Sequence, residues 1–169
     1  QRWTSGRYDP AAGDTDLNQP EAASLMPKVA RLSDDMLTLA EPMRDAVILN
    51  EQGQPLKGGD LDRRFFEAAW LHKYNGLYYL SYSTGDTHFI AYATATTPYG
   101  PFTYRGRVLL PVQGWTTHHS IVEVEGQWRL FYHDTQLSNR THLRSAKVVD
   151  LHHDADGAIA TIDPFVSAP

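Results

Sequence analysis

Apolar and polar side chains alternate along most of the chain from residue 66 onward. A period of two places every second side chain on one face of a β-strand, and runs rich in Tyr, Val, Ile and Thr favour strands. Gly, Asn, Asp and Pro lie between these runs, as turns and hairpins require. The first set of predicted strands is Ala68 to Tyr74, Leu77 to Ser83, His88 to Thr94 and Phe102 to Leu109.

A second set of strand-like runs follows the first. It consists of His119 to Val124, Trp128 to Asp134, His142 to Leu151 and Ala158 to Ile162. The two sets repeat in sequence, because Gly76, Tyr78, Leu80 and Tyr82 match Gly126, Trp128, Leu130 and Tyr132 at a constant offset of 50 residues. This period is typical of propeller blades. The pattern therefore predicts two complete four-stranded antiparallel blades.

The beginning of the chain is less regular. Residues 1–24 are rich in Gly, Pro, Asp and Ser and predict a long loop, whereas residues 26–49 hold short strand-like runs that supply part of a third blade. We predict an all-β fold, a partial β-propeller. Its expected parts are an incomplete blade with long loops over 1–62, a blade over 63–110 and a last blade over 111–169. A two-sheet sandwich is the alternative, but it leaves the repeat unexplained.

The composition narrows the classes of partner. The chain has 169 residues, of which 41% are hydrophobic, and this is enough for the core of one domain. The net charge is -5 and there is no run of Lys or Arg, so neither nucleic acid nor an anionic membrane is expected as a partner. A neutral polar ligand fits better. The absence of cysteine excludes disulfides and thiolate nucleophiles.

Glu67 is the first candidate for a catalytic residue. It opens the first strand of the first complete blade, where the inner strand of a propeller lines the central channel. Aromatic residues flank it, and apolar surroundings favour the uncharged form of a carboxyl group, which a general acid needs. The alternative is a glutamate at a strand start that faces solvent.

The adjacent histidines His118 and His119 hold the equivalent position in the next blade. Neighbouring residues in a strand point to opposite faces, so only one of the two can enter the channel. That ring could orient water around a hard cation or bind a substrate hydroxyl. A histidine that is hydrogen-bonded within the core is the alternative, and two adjacent histidines are a weak indication of zinc.

Arg144 and two tryptophans complete the set of candidates. Arg144 lies inside a predicted apolar strand, where a guanidinium group needs a carboxylate or a ligand, so it could pair with Glu67 or with a bound sugar. An arginine that faces solvent is equally compatible with the pattern. Trp70 and Trp115 could be platforms on which a sugar ring stacks.

Several motifs in the same order resemble glycoside hydrolase family 43, the five-bladed propeller arabinofuranosidases, xylosidases and arabinanases. The similarity extends from about residue 28 to residue 164. The motifs that carry it are RFFEAAWLHKYNGLYYLSYSTGDTHFIAYAT, PYGPFTYRGRVL, GWTTHHSIVEVEGQWRLFYHDT and HLRSAKV. The combination is most similar to the arabinoxylan-debranching and xylosidase branch. The resemblance implies a part of a five-bladed β-propeller and the hydrolysis of arabinofuranosyl or xylosyl linkages.

The resemblance also implies roles for single residues. The Glu of the family's F-E-x-x-W motif, here Glu67, is the general acid. The His of its H-H-S motif lies on the propeller axis near a calcium ion or a water cluster, and here it is His118, with His119 as the alternative. The Arg of its H-L-R motif, here Arg144, contacts the acid and the sugar. His119, Trp115 and Trp70 are further expected substrate contacts.

The chain departs from the family pattern at the general base. Family members invert the sugar's configuration with a second carboxylate, roughly 6.5 to 9.5 Å from the acid, which activates water. The resemblance places this Asp, and a further Asp that tunes the acid, in earlier blades, and no residue here matches either one. Asp9 lacks the strand context.

An N-terminal segment or a second chain is therefore expected to complete the propeller and supply the base. The chain does not begin with Met, so we expect Gln1 to be a cut or processed end. The expected ligand is an oligo- or polysaccharide that contains arabinose or xylose. A truncated propeller that binds carbohydrate without hydrolysing it is the alternative function.

Overall fold

A computed structural model of the chain describes residue 11 and residues 20–166. The predicted loop over residues 1–24 therefore falls mostly outside the described residues. The described strands are β1 (Lys28–Val29), β2 (Arg44–Asp45), β3 (Ile48–Leu49), β4 (Glu67–Tyr74), β5 (Leu77–Ser83), β6 (Ile90–Ala95), β7 (Phe102–Leu109), β8 (His119–Val124), β9 (Gln127–Asp134) and β10 (Ser145–Asp150). This part of the chain contains no helix that is long and apolar enough to cross a membrane.

Strands β4 to β7 form an antiparallel meander, here called the Glu67 blade. The hairpin between β4 and β5 turns at Asn75 and Gly76, whose φ angles of 44° and 82° are both left-handed. Such turns match the twist of the strands they join, and Asn-Gly is their preferred sequence. The four strands predicted from the alternation are confirmed here. The sheet has a fifth member, because β3 pairs in parallel with β7.

Strands β8, β9 and β10 form the second sheet, here called the last blade. The predicted fourth strand, residues 158–162, is not a regular strand. Its backbone bonds to two different partners, because Ala160 N donates to His152 O whereas Ile162 N donates to Val108 O in β7. A segment that changes partner after a few residues forms isolated bridges, so the last blade has three regular strands. Residues 151–162 are called the closing segment below.

Residues 26–49 contribute less of a blade than their pattern predicts. Strands β1 and β2 pair over two residues each, and β3 joins the Glu67 blade instead. Pro27 and Pro42 flank the short ladder, and proline has no N–H to extend it.

The Glu67 blade is buried on both faces because its apolar residues alternate. Along β5, Tyr79 packs toward the last blade, whereas Leu80 and Tyr82 pack toward residues 46–56. The core between the two blades contains Tyr79, Ile90, Tyr92, Leu109, Ile121, Leu130, Leu151 and Ile159. Burying one Leu or Ile side chain stabilises a fold by roughly 1.5–3 kcal/mol. This shared core fixes β4 beside β8, the strands that open with Glu67 and His119.

Candidate active site

Glu67 lies at a β-bulge at the start of β4. Its Cα pairs with Ser83, and the next regular pair joins Trp70 to Ser81, so two residues of β4 oppose one residue of β5. Ala68 within the bulge has a left-handed φ of 58°, which is unusual for a residue with a Cβ. Bulges often lie next to active sites, where they redirect a side chain. Here the bulge separates Glu67 from the regular part of the strand.

The side chain of Glu67 lines a cavity of about 300 Å³ at this end of the two blades. Its walls come from three places: the start of β4, the loop between β5 and β6, and the loop before β8. The lining residues are Phe66, Glu67, Gly85, Asp86, Trp115 and Thr116. An exposed tryptophan beside two carboxylates is a combination suited to a polar ligand with an apolar face.

One oxygen of Glu67 has two polar neighbours. Thr116 Oγ1 donates a hydrogen bond to Glu67 Oε1 over 3.3 Å, and His118 Nε2 lies 3.3 Å from the same oxygen. The glutamate side chain is 37% exposed, so solvent or a ligand can reach it. The structure therefore brings together Glu67 and one of the two predicted histidines.

A second histidine, His133, binds the backbone of His118. His118 N donates to His133 Nε2 over 3.0 Å, and Thr117 Oγ1 bonds to the backbone of His133. Burial, the charge of Arg144 and the proximity of His118 lower the pKa of His133. A neutral ring at neutral pH keeps Nε2 available as an acceptor, so His133 orients the backbone next to the candidate acid.

His119 points away from Glu67, as the alternation predicts for adjacent residues. Its Nε2 lies 2.6 Å from Ser81 Oγ in the Glu67 blade. Its Nδ1 is shielded from solvent and has no hydrogen-bond partner within residues 20–166. Burial, and then the neighbouring His118 and His72, lower the pKa of His119 to about 3. The ring is therefore neutral at pH 7.

The described residues do not by themselves fit a calcium site. Calcium takes six to eight oxygen ligands. Within residues 20–166 there is no group of three or more His, Asp or Glu side chains that could hold a metal. The unpartnered Nδ1 of His119 is a nitrogen and could reach a calcium ion only through a water molecule.

Arg144 lies outside the strand in which it was predicted. A turn at Arg140 to Leu143 delays the start of β10 to Ser145, because Leu143 N donates to Arg140 O. Arg144 is exposed, and its Nε donates to Thr141 O over 3.0 Å. Among the described ion pairs none joins Arg144 to Glu67. Its charge acts on His133 instead.

The two tryptophans occupy different places. Trp115 lines the Glu67 cavity, is 65% exposed, and packs edge-on against His88 with ring centroids 5.0 Å apart. Trp70 lines a separate apolar cavity with Val29 and Phe102, and its Nε1 donates to Ile121 O over 2.9 Å. Of the two, Trp115 is the one in position to contact a ligand of Glu67.

Sequence reasoning missed Asp86 and Thr116 as cavity residues. Asp86 lies in the loop after β5, and Thr116 lies in the loop before β8. Because β4 and β5 are antiparallel, the start of β4 and the end of β5 lie at the same end of the pair. A residue just after β5, such as Asp86, is therefore expected near Glu67. The charge of Asp86 also partly offsets the lowering of the Arg64 pKa by burial.

Comparisons with known proteins identify relatives of this chain. A xylosidase/arabinosidase of Bacteroides ovatus is 59% identical over 148 residues, which are 87% of this chain and 46% of the relative. Xylosidase/arabinosidase 43A of Humicola insolens is 61% identical over 145 residues, 85% of this chain and 44% of the relative. No family model matches the chain.

A solved structure agrees in both sequence and fold. It is a GH43 beta-xylosidase/alpha-arabinofuranosidase from a compost microbial metagenome, in complex with xylotriose and described as a calcium-free form. It superposes with a TM-score of 0.89 at 59% identity, over 99% of this chain and 51% of that one. The chain belongs to glycoside hydrolase family 43.

Membership of family 43 explains the architecture of the chain. The chain spans about half the length of these relatives and matches their C-terminal portion. Family 43 enzymes are five-bladed propellers, so the predicted partial propeller is confirmed and the two neighbouring sheets are two of its blades.

Proposed function

We propose that this family 43 chain carries the acid half of a glycosidase site, with Glu67 as the general acid. The observation that supports this most directly is the carboxyl group of Glu67 in the wall of a cavity beside Trp115, with its Oε1 next to Thr116 and His118. The proposed reaction is the inverting hydrolysis of xylosyl or arabinofuranosyl linkages of hemicellulose. The relatives' names, xylosidase and arabinosidase, support this substrate class.

The contacts of Glu67 suggest which oxygen carries the proton. Oε1 accepts a hydrogen bond from Thr116, so Oε2 is the better position for the acidic proton. During cleavage Oε2–H transfers its proton to the glycosidic oxygen as the bond from that oxygen to the anomeric carbon breaks. Water adds to the anomeric carbon from the opposite face and gives its proton to a second carboxylate.

We propose that the second carboxylate lies outside this chain, on an N-terminal segment or another chain that completes the propeller. Asp86 is the other carboxylate in the Glu67 cavity. It lies in the loop between β5 and β6 of the same blade as Glu67, whereas the resemblance places the base in an earlier blade. We therefore assign Asp86 no part in activating water.

The remaining site residues are proposed as substrate contacts with different degrees of support. Trp115 would stack on a sugar ring in the cavity. Arg144 and His119 would contact the sugar only where a completed propeller brings it to them, and Trp70 would act mainly through the contact between blades. Calcium, if bound, would be held through water at His119 or His118, and no step of the reaction is assigned to it.

A complementation assay tests the proposal. The chain is assayed alone and together with the N-terminal half of the Bacteroides ovatus relative, with nitrophenyl xyloside and nitrophenyl arabinofuranoside as substrates. We expect little release of nitrophenol by the chain alone and clear release by the combination, lost on Glu67→Gln. Strong turnover by the chain alone, lost on Asp86→Asn, would instead make Asp86 the base.

The rival function is a carbohydrate-binding module without catalysis. Titration calorimetry with xylotriose separates the two functions when it is combined with the turnover assay. Binding without hydrolysis, unchanged after the N-terminal half is added, would favour the module.

A further inference from the structure

A buried histidine, His72, and a partly buried one, His153, form a pair where the Glu67 blade meets the last blade. His72 is on β4, toward the end opposite Glu67, and His153 is the third residue of the closing segment. Their Nε2 atoms are 3.4 Å apart. One ring must therefore supply an N–H and the other a lone pair, so the contact exists only while at least one ring is unprotonated at Nε2.

Aromatic rings enclose the pair. His72 stacks on Tyr79 at 4.9 Å between centroids, and His153 stacks on Tyr74 at 3.9 Å. Trp128 packs against both histidines at 5.1 and 5.3 Å. Both Nδ1 atoms are shielded from water and have no hydrogen-bond partner among the described residues. This surrounding offers little compensation for two positive charges.

The titratable groups that face the pair come from each neighbouring element. They are Tyr74 on β4, Tyr79 on β5, His119 on β8 and Asp154 in the closing segment. Among the described residues no carboxylate lies within hydrogen-bond distance of either imidazole. Asp154 acts at longer range, and its Oδ1 accepts hydrogen bonds from the backbone of Asp156 and Ala158.

The closing segment is anchored to the Glu67 blade just beyond His153. Tyr79 donates its hydroxyl proton to Gly157 O over 2.7 Å, and Ile159 N donates to Tyr92 OH over 3.0 Å. Ile162 N then bonds to the backbone of β7. A movement of His153 away from His72 would therefore also disturb the hydrogen bonds by which the closing segment joins the two blades.

We propose that His72 and His153 form an acid-sensitive latch, which holds the closing segment against the Glu67 blade while at most one of the two rings is positively charged and releases it when both are. This latch is independent of the proposed hydrolysis, because neither ring lines the cavity of Glu67.

The direction of the effect follows from proton linkage. Burial first, and then the charge of His153, lower the pKa of His72 to about 3, and burial lowers the pKa of His153 against the attraction of Asp154. In the open segment both rings return to an ordinary pKa of about 6.5. Opening therefore takes up protons. Between pH 6.5 and about 3 each lower pH unit favours it about tenfold through His72, and the lowered pKa of His153 acts in the same direction.

Hydrogen exchange measured by NMR tests the latch. The protection factors of the Ile159 and Ile162 amides, corrected for intrinsic exchange, are compared at pH 7 and pH 5. We expect a fall of at least about tenfold in the unmodified chain. His153→Phe keeps a ring on Tyr74 and removes one of the two titrating rings, so its protection should fall by a clearly smaller factor than that of the unmodified chain. His152→Gln, at the exposed neighbouring position, is the matched control and should behave like the unmodified chain.

Two results would overturn the proposal. One is equal protection at both pH values in the unmodified chain, and the other is an undiminished fall in His153→Phe. If this variant does not fold, His72→Phe is measured in the same way. The Cε1 proton resonances of the unmodified chain give a further test, since independent titration of both rings near pH 6.5 would also refute the latch.

Discussion

Gly157 offers the sharpest test of how the two blades are joined. Its φ is +77°, and a Cβ at this position would lie 2.6 Å from the hydroxyl oxygen of Tyr79, which donates its hydrogen bond to Gly157 O. Gly157→Ala therefore combines two penalties. The left-handed backbone costs about 1–2 kcal/mol for an alanine. Displacing the buried hydroxyl adds roughly 0.5–1.5 kcal/mol for the hydrogen bond and about 1 kcal/mol or more for overpacking.

The matched control is Gly126→Ala. Gly126 has a φ of +79°, and nothing lies within 4 Å of its added Cβ, so only the backbone penalty applies. Urea unfolding followed by tryptophan fluorescence should give a loss of about 1–2 kcal/mol for the control. For Gly157→Ala we expect about 3 kcal/mol or more.

A double-mutant cycle isolates the contact with Tyr79. In a Tyr79→Phe background the clashing hydroxyl is absent, so Gly157→Ala should cost about as much as Gly126→Ala. Equal losses for Gly157→Ala and Gly126→Ala in the unmodified background would show that the Tyr79 hydroxyl does not restrict residue 157. They would mean that the closing segment can move away from Tyr79 without loss.

Three further predictions concern stability, and denaturant unfolding checks each of them. Leu130→Ala should cost about 2–5 kcal/mol because Leu130 is fully buried between the blades, whereas Leu137→Ala at an 82% exposed position should stay within about 0.5 kcal/mol. Lys147→Met should destabilise by about 1–3 kcal/mol, since it leaves the buried carboxylate of Asp134 without the Nζ that lies 3.6 Å away; an unchanged midpoint would show that water replaces the lysine. Stability should also fall as the pH drops below about 6.5, by on the order of 1.4 kcal/mol per pH unit for His72, because its pKa is lower in the folded chain than in the unfolded one. A rise in stability between pH 6.5 and 5 would contradict this sign.

The parts of the fold that follow from local chemistry could be predicted from the sequence. Alternation gave the strands of the Glu67 blade, and Asn75-Gly76 gave the turn that joins β4 to β5. The sequence pattern placed Glu67 and the adjacent histidines His118 and His119 at the starts of corresponding strands in neighbouring blades. The structure puts His118 Nε2 3.3 Å from Glu67 Oε1.

Features that depend on tertiary pairing could not be predicted in the same way. Residues 158–162 have the composition of a strand, yet their hydrogen bonds go to two different partners. Arg144 lies next to apolar residues in sequence, but the turn before it shortens β10 and leaves the arginine exposed. Asp86 lies in a loop, and only the pairing of β4 with β5 places that loop beside Glu67.

Glu67 is proposed to donate a proton to the leaving group. The most direct test of this role compares two substrates in the chain complemented with the N-terminal half of the Bacteroides ovatus relative. Xylobiose has a poor leaving group that needs protonation, whereas dinitrophenyl xyloside has a leaving group that departs without it. Glu67→Gln should lower kcat/KM for xylobiose by about 10²–10⁴ and affect dinitrophenyl xyloside far less. An equal loss for both substrates, or no loss for xylobiose, would contradict the role of Glu67 as the general acid.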